Sequence, residues 1–349
     1  MDEPRFFAEP QFVGVPFRRT AAKDDGRPRT VELERAPAKK IHETSASLTK
    51  LVMAGRAPQH RSMKSCRHTI LLLSFLTSVA MAQTNLNDVP ADLTVPPMET
   101  VAPAAGKRVR ATTTGWEATA VHHTLYLPED WKPQSTPLPV IVEYAGNGGY
   151  ANRLGDTSDG SVEGCLLGYG LSAGRGFLWI TLPFVESHDG QKRNATKWWG
   201  DVAETKRYCL ATVRDVCRRF GGDPQRVVLA GFSRGAIACN YLGLHDEEIA
   251  QLWRGFFAHS HYEGVFKHPA SDESAWPQRL RRLGTRPLFI SHELSTQKTA
   301  SLLTASGVTG DFTFVDLPYP NHSARWVLCD VPARQRAREW LQRVVHTPL

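Results

Sequence analysis

The sequence predicts an α/β fold, a mostly parallel central sheet with helices on both faces. Short apolar runs alternate with helical patterns along the second two thirds of the chain, the order that builds parallel sheets. The runs are almost continuously apolar, as strands buried on both sides must be. One of them, Arg226-Val227-Val228-Leu229-Ala230, leads straight into Gly231-Phe232-Ser233-Arg234-Gly235 and then a helical stretch.

In chain order, His123 to Leu127 reads as an early strand and Leu138 to Tyr144 as a second, ending in Ala145-Gly146-Asn147-Gly148-Gly149. Gly176 to Leu182 is a third run. A helix is expected from Val202 to about Phe220: Asp201 and Glu204 have capping-box spacing, and Gly221-Gly222 can close it. After the serine motif, Ala236 to Leu242 continues as a helix. Phe256 to Ala258, Pro287 to Ile290 and Phe312 to Val315 supply later strands, and Pro332 to Val345 a closing amphipathic helix. No internal repeat is present. One catalytic domain over 116–349 is the economical reading, with the Pro-, Ala- and Thr-rich 83–115 as a linker or loosely attached edge.

The 349 residues are 41% apolar and 22% charged, ordinary for a globular chain. The formal charge of +7 is local: residues 1–82 hold 14 Lys/Arg against 8 Asp/Glu, and the remainder 28 against 27. A nearly neutral body has no electrostatic claim on nucleic acid. Within the leader, the basic Met63 to His68, the apolar Thr69 to Val79 and Ala80-Met81-Ala82 follow the secretory signal-peptide pattern. The apolar run is too short to span a bilayer, which takes about 20 residues. The expectation is a signal peptide at 63–82, a secreted or periplasmic mature chain and no stable membrane span after cleavage. Residues 1–62 are then a non-native upstream extension or a disordered tail.

Five of the six cysteines follow residue 82, so pairing would leave one over. Cys209 and Cys217, eight residues apart on one helix, are separated by about 12 Å of rise and cannot bridge. The absence of any Cys-x-x-Cys pair gives no support to a zinc knuckle or redox motif.

Gly-x-Ser-x-Gly between a strand and a helix describes a sharp turn that projects the serine hydroxyl at the carboxyl edge of the sheet. On that motif, and on Phe220-Gly221-Gly222-Asp223-Pro224 before the strand, the chain resembles the α/β-hydrolase superfamily over 120–345. Within it, the chain looks most like secreted feruloyl esterases, acetyl-xylan esterases and polyhydroxybutyrate depolymerases. The resemblance implies an α/β-hydrolase fold and a serine esterase working through an acyl-enzyme, with Ser233 as nucleophile. A serine hydroxyl needs a base, and the superfamily order of Ser, acid, His puts it in the loop after the last strand. There stands His322, in Pro318-Tyr319-Pro320-Asn321-His322-Ser323. The acid is Glu293, after the strand ending at Ile290, or alternatively Glu263, one strand earlier. The resemblance assigns one oxyanion donor to the backbone of Arg234 and the second to the glycine loop, at Asn147 with Gly148 beside it. The Arg234 side chain could bind an acidic substrate group or pair with a neighbouring acid, the second being favoured.

Trp198 and Trp199 follow a polar loop near the edge where ligands bind; they could stack on a sugar or phenolic ring, or cover the core. His259, His261 and Glu263 alternate, so an extended segment would turn all three to one face and could bind a divalent metal. A strand end in a hydrolase has its own reason to be polar, so neither metal nor cofactor is assigned. The expected substrate is a small or glycan-linked ester. A non-catalytic glycan-binding or adhesion module on the same scaffold and a serine peptidase are the competing readings.

Overall fold

The computed structural model describes residues 83–266 and 275–347. The expected upstream extension at 1–62 and signal peptide at 63–82 lie outside them. In chain order the elements are β1 (Met98–Glu99), β2 (Arg108–Ala111), β3 (His123–Tyr126), β4 (Leu138–Tyr144), β5 (Tyr150–Ala151), β6 (Thr157–Ser158) and α1 (Leu167–Ser172). Then come β7 (Leu178–Leu182), β8 (Phe184–His188), β9 (Gln191–Ala195), α2 (Val202–Phe220), β10 (Gly222–Phe232), α3 (Arg234–Tyr241) and α4 (Glu247–Ala250). The last group is β11 (Gly255–His259), α5 (Trp276–Arg281), β12 (Leu288–Glu293), α6 (Gln297–Ala305), β13 (Phe312–Leu317) and α7 (Pro332–His346).

Among the described residues, nine strands make one sheet in the order β1-β2-β3-β7-β4-β10-β11-β12-β13. All neighbours run parallel except at β3, which is antiparallel to both β2 and β7. This is the α/β-hydrolase fold. Its strands alternate between two cores. Val140, Val142, Val227, Leu229, Phe256 and Ile290 face one, with α2 and α3. Ile141, Val228, Ala230, Phe257 and Phe289 face the other, with α1 and α7. Two-sided burial is why these strands read as unbroken apolar runs. Each fully buried large side chain stabilises the sheet by about 1.5–3 kcal/mol.

Helix α2 keeps its expected bounds. The Asp201 carboxylate accepts from the Glu204 N–H at 3.0 Å, and Gly221 ends the helix in the left-handed region at φ 74°. Glu143 looks out of place in β4 until α1 is considered. Its carboxylate accepts the N–H groups of Leu166, Leu167 and Gly168 at 2.9–3.1 Å and the Trp179 indole N–H at 2.9 Å. A buried acid thereby caps the orphan donors of a helix start.

Of the two alternatives for 83–115 the edge holds, though firmly attached, and the polar loop before Trp198 gains structure. The 83–115 segment supplies β1 and β2 at the sheet margin and is anchored beyond it. Leu86 is fully buried, Arg325 donates to the carbonyls of Leu86 and Val89 at 2.7 and 2.8 Å, and Arg334 pairs with Asp92. The polar loop before Trp198 is largely the hairpin β8–β9. No described cysteine is in a disulfide, and no described helix is long and apolar enough to cross a membrane.

Candidate active site

The sheet's carboxyl edge gathers the site from three strand ends and one loop. At the end of β10 the chain turns sharply into α3, with Ser233 held at φ 52° and ψ −113°, a strained conformation for a residue with a Cβ. The two motif glycines make this turn possible. A Cβ on Gly231 would stand 2.1 Å from the Gly235 carbonyl oxygen, and one on Gly235 2.0 Å from that of Tyr144. Both obstacles are backbone and cannot yield. The Ser233 N–H meanwhile bonds to the His259 carbonyl at 2.9 Å, tying the turn to β11.

His322 Nε2 lies 3.0 Å from Ser233 Oγ, and His322 Nδ1 lies 2.6 Å from Glu293 Oε1. Burial alone would push the Glu293 carboxyl up. The hydrogen bond from His322 and the charges of His322, His259 and His292 hold it well below the usual carboxylate range, so it is ionised at neutral pH. Glu293 ends β12 itself, where its backbone pairs with Leu317 of β13, rather than standing in the loop beyond. Glu263, the alternative acid, faces away from this line. It takes the Thr299 hydroxyl at 2.9 Å and stands within ion-pair distance of His261 and His292.

Sequence reasoning passed over two neighbours. Ser260 Oγ donates to Glu293 Oε1 at 2.9 Å and stands 3.0 Å from His322 Nδ1. Its place at the end of β11, next to β12, was the available signal. Asn321 is buried beside His322. Its Oδ1 accepts the Leu86 N–H at 2.6 Å, and its Nδ2 donates to Asn85 Oδ1 and Asp156 Oδ1, both at 2.8 Å. The histidine loop is thus pinned by a segment more than 230 residues earlier. Rings of Tyr150, Phe232 and His261 stand 4.8–5.0 Å from the His322 ring and limit its swing.

Of the expected oxyanion donors, Arg234 opens α3, where the first N–H groups have no partner within the helix. Gly148 is a correction: its N–H already donates to the Thr196 carbonyl at 2.8 Å. It is glycine because a Cβ would stand 2.4 Å from the Asp159 carbonyl oxygen. Asn147 uses its side chain to hold the loop, Oδ1 accepting the Trp198 N–H at 2.8 Å. The Arg234 side chain also departs from expectation, since its hydrogen bonds go to carbonyls and not to an acid. It donates to those of Trp198 and Gly160 at 2.7 and 3.3 Å and lies 4.0 Å above the Phe184 ring. Burial pushes its pKa down to about 9. Of the tryptophan pair, Trp198 is 40% exposed, whereas Trp199 is partly buried against the core beside Phe184 and Tyr241. Trp199 therefore serves packing.

The alternating trio separates as well. His259 is fully buried, bonded to Ser291 Oγ and the Ser323 carbonyl at 3.0 Å each, and burial pushes its pKa down to about 4. Ser260 and His261 both take positive φ, so the segment turns instead of extending. His261 and Glu263 then meet His292 of β12.

A cleft of about 660 Å³ is lined by Gly146 and Gly149 of the glycine loop, by Thr157, Ser158 and Asp159, and by Phe232 and Ser323, the chain neighbours of Ser233 and His322. Its walls mix hydroxyls and a carboxylate with apolar surface.

No family model and no curated protein matches this sequence. Solved structures similar to it include esterase Est22, at 16% identity and TM-score 0.43, covering 69% of this chain and 80% of that one. Thermogutta terrifontis esterase 2, phosphoramylated by tabun, matches at 17% and 0.43, over 69% and 94%. Porphyromonas gingivalis dipeptidyl peptidase 4 matches at 15% and 0.41, over 68% of this chain and 36% of its own length. The chain thus spans about a third of that peptidase.

Proposed function

We propose that this protein is a serine hydrolase that cleaves carboxylic esters through an acyl-enzyme. The observation that carries the reading is the line from Ser233 Oγ through both nitrogens of His322 to Glu293, at 3.0 and 2.6 Å. Nδ1 meets the acid and Nε2 meets the hydroxyl, the pairing the chemistry requires. Ser233 Oγ attacks the ester carbonyl while His322 Nε2 takes its proton. The ionised Glu293 holds His322 Nδ1 protonated, leaving Nε2 as acceptor, and stabilises the imidazolium that forms. The backbone N–H groups of Arg234 and Asn147 receive the developing oxyanion. His322 returns its proton to the departing alkoxide, and a water activated at the same nitrogen releases the acid.

The hydroxyls and carboxylate among the cleft's apolar walls, together with the exposed Trp198, favour an ester whose alcohol or acyl part carries hydroxyl groups, such as a glycan-linked ester. The basic, apolar and small-residue order of 63–82 supports export. The relay of Ser233, His322 and Glu293 favours an enzyme over a binding module.

Labelling with a fluorophosphonate serine probe tests the reading. Wild type is expected to label and to hydrolyse p-nitrophenyl acetate, and Ser233→Ala to do neither. A folded wild type that takes no label, or a Ser233→Ala variant that still turns over the ester, refutes it.

A further inference from the structure

Among the described residues, one cluster of histidines and a carboxylate that could hold a metal ion takes no part in the hydrolytic steps. His261 and Glu263 lie on the turn after β11 and His292 near the end of β12. His261 Nδ1 stands 3.5 Å and His292 Nε2 3.7 Å from the same oxygen, Glu263 Oε1. One donor atom from each residue lies within 4.8 Å of the other two. Donors about 2.0–2.2 Å from a single tetrahedral ion are about 3.4 Å apart, so a small rotation of the imidazoles closes the set. We propose that His261, Glu263 and His292 bind a divalent transition-metal ion of the zinc class, beside the hydrolytic relay and touching it through His292 and Glu293.

The surroundings orient these donors as metal ligands are oriented elsewhere. Thr299 donates to Glu263 Oε2 at 2.9 Å, leaving Oε1 turned to the two imidazoles. His292 Nδ1 faces the Glu293 carbonyl at 2.9 Å and Glu293 Oε2 at 3.1 Å, which directs Nε2 toward Glu263. Glu293 Oε2 is buried and has no hydrogen-bond partner of good geometry. An imidazole polarised by a cation supplies a better donor to it. Access comes from the His261 side, where the side chain is 37% exposed. Lys298 Nζ, 3.8 Å from Glu263 Oε1, is on a side chain 65% exposed and can swing into solvent when a cation enters. Two imidazoles and one carboxylate suit zinc, cobalt, nickel or copper, whereas calcium and magnesium require oxygen-rich shells.

The test uses the full chain without a histidine tag, stripped with EDTA and titrated with Zn²⁺ by calorimetry and with Co²⁺ by visible absorption. Wild type is expected to bind one ion per chain and to ignore Ca²⁺. His261→Ala, Glu263→Gln and His292→Gln should each weaken binding at least tenfold, since loss of an outer-shell partner alone costs roughly 10–100-fold. His188→Ala, at an exposed histidine on the β8–β9 hairpin, should leave binding unchanged. The partly exposed His261→Ala keeps the test decisive should Glu263→Gln fail to fold. A wild type that takes up no stoichiometric Zn²⁺, or an affinity untouched by His261→Ala and His292→Gln, overturns the proposal. Labelling of Ser233 is read separately, so the metal site and the hydrolase reading fail independently.

Discussion

Replacing Glu293 by glutamine removes one charge and almost no volume. The carboxylate contacts His322 Nδ1 at 2.6 Å, and the imidazolium that forms when Ser233 gives up its proton is the partner it stabilises. With charge centres about 4 Å apart and an effective dielectric of about 20, that attraction is worth about 4 kcal/mol. Losing it slows turnover by about a thousandfold. A second defect adds to the first. An amide N–H turned toward His322 would favour the tautomer with Nδ1 unprotonated, which leaves Nε2 unable to accept from Ser233, and the combined loss reaches about 10³–10⁴-fold in kcat. The two sites pull the amide in opposite senses, since the Ser260 hydroxyl favours the amide oxygen at the Oε1 position and His292 Nδ1 favours it at Oε2. The assay is kcat and KM on p-nitrophenyl acetate, with melting temperature as the check on folding. KM is expected to stay within a few-fold. Glu263→Gln, whose carboxylate does not reach His322, should lose less than tenfold. A folded Glu293→Gln retaining a tenth of wild-type kcat, or a Glu263→Gln equally impaired, would refute the assignment.

Ser260→Ala removes the hydroxyl shared by Glu293 and His322. A loss of about 1–1.5 kcal/mol, five- to tenfold in kcat with KM unchanged, is expected from steady-state kinetics. Asn321→Ala leaves the Leu86 N–H buried without its acceptor and frees the loop from Asp156. It should cost about 2–3 kcal/mol in urea unfolding and slow fluorophosphonate labelling, since the released loop carries His322. His123 is buried, with Nδ1 2.8 Å from the Tyr208 hydroxyl, and burial pushes its pKa down from 6.5 to about 3. Between those values the unfolded chain binds a proton that the folded chain refuses, so this contribution is full above pH 6.5 and lost as pH falls toward 3. Melting temperature should therefore fall less between pH 7 and 4.5 in His123→Gln than in wild type. Parallel slopes would contradict that account.

The parts of this protein written locally in the chain could be read from the chain. Unbroken apolar runs announce strands covered on both faces, the Asp201 and Gly221 caps bound α2, and Gly231 and Gly235 around Ser233 describe a turn that no other residue pair would permit. Partner choice is different, because it depends on which strand ends the sheet sets side by side. The sequence favours Glu293 over the alternative Glu263 only through the superfamily resemblance, since both are loop-end carboxylates. Adjacency of β11, β12 and β13 turns the first to His322 and the second to His261 and His292. The same adjacency replaced His259 by His292 among the clustered donors, since two positive-φ residues break the extended alternation that sequence spacing assumes. Gly148 could be placed in the glycine loop, but only the packed chain shows its N–H already given to Thr196. Residues 83–115 have the composition of a linker, and only long-range hydrogen bonds to Asn321 and Arg325 reveal an anchor for the histidine loop. Periodicity, caps and turns are nearest-neighbour physics and survive in one dimension. Which carboxylate, which amide and which segment meet His322 is fixed by contacts between residues far apart in the chain.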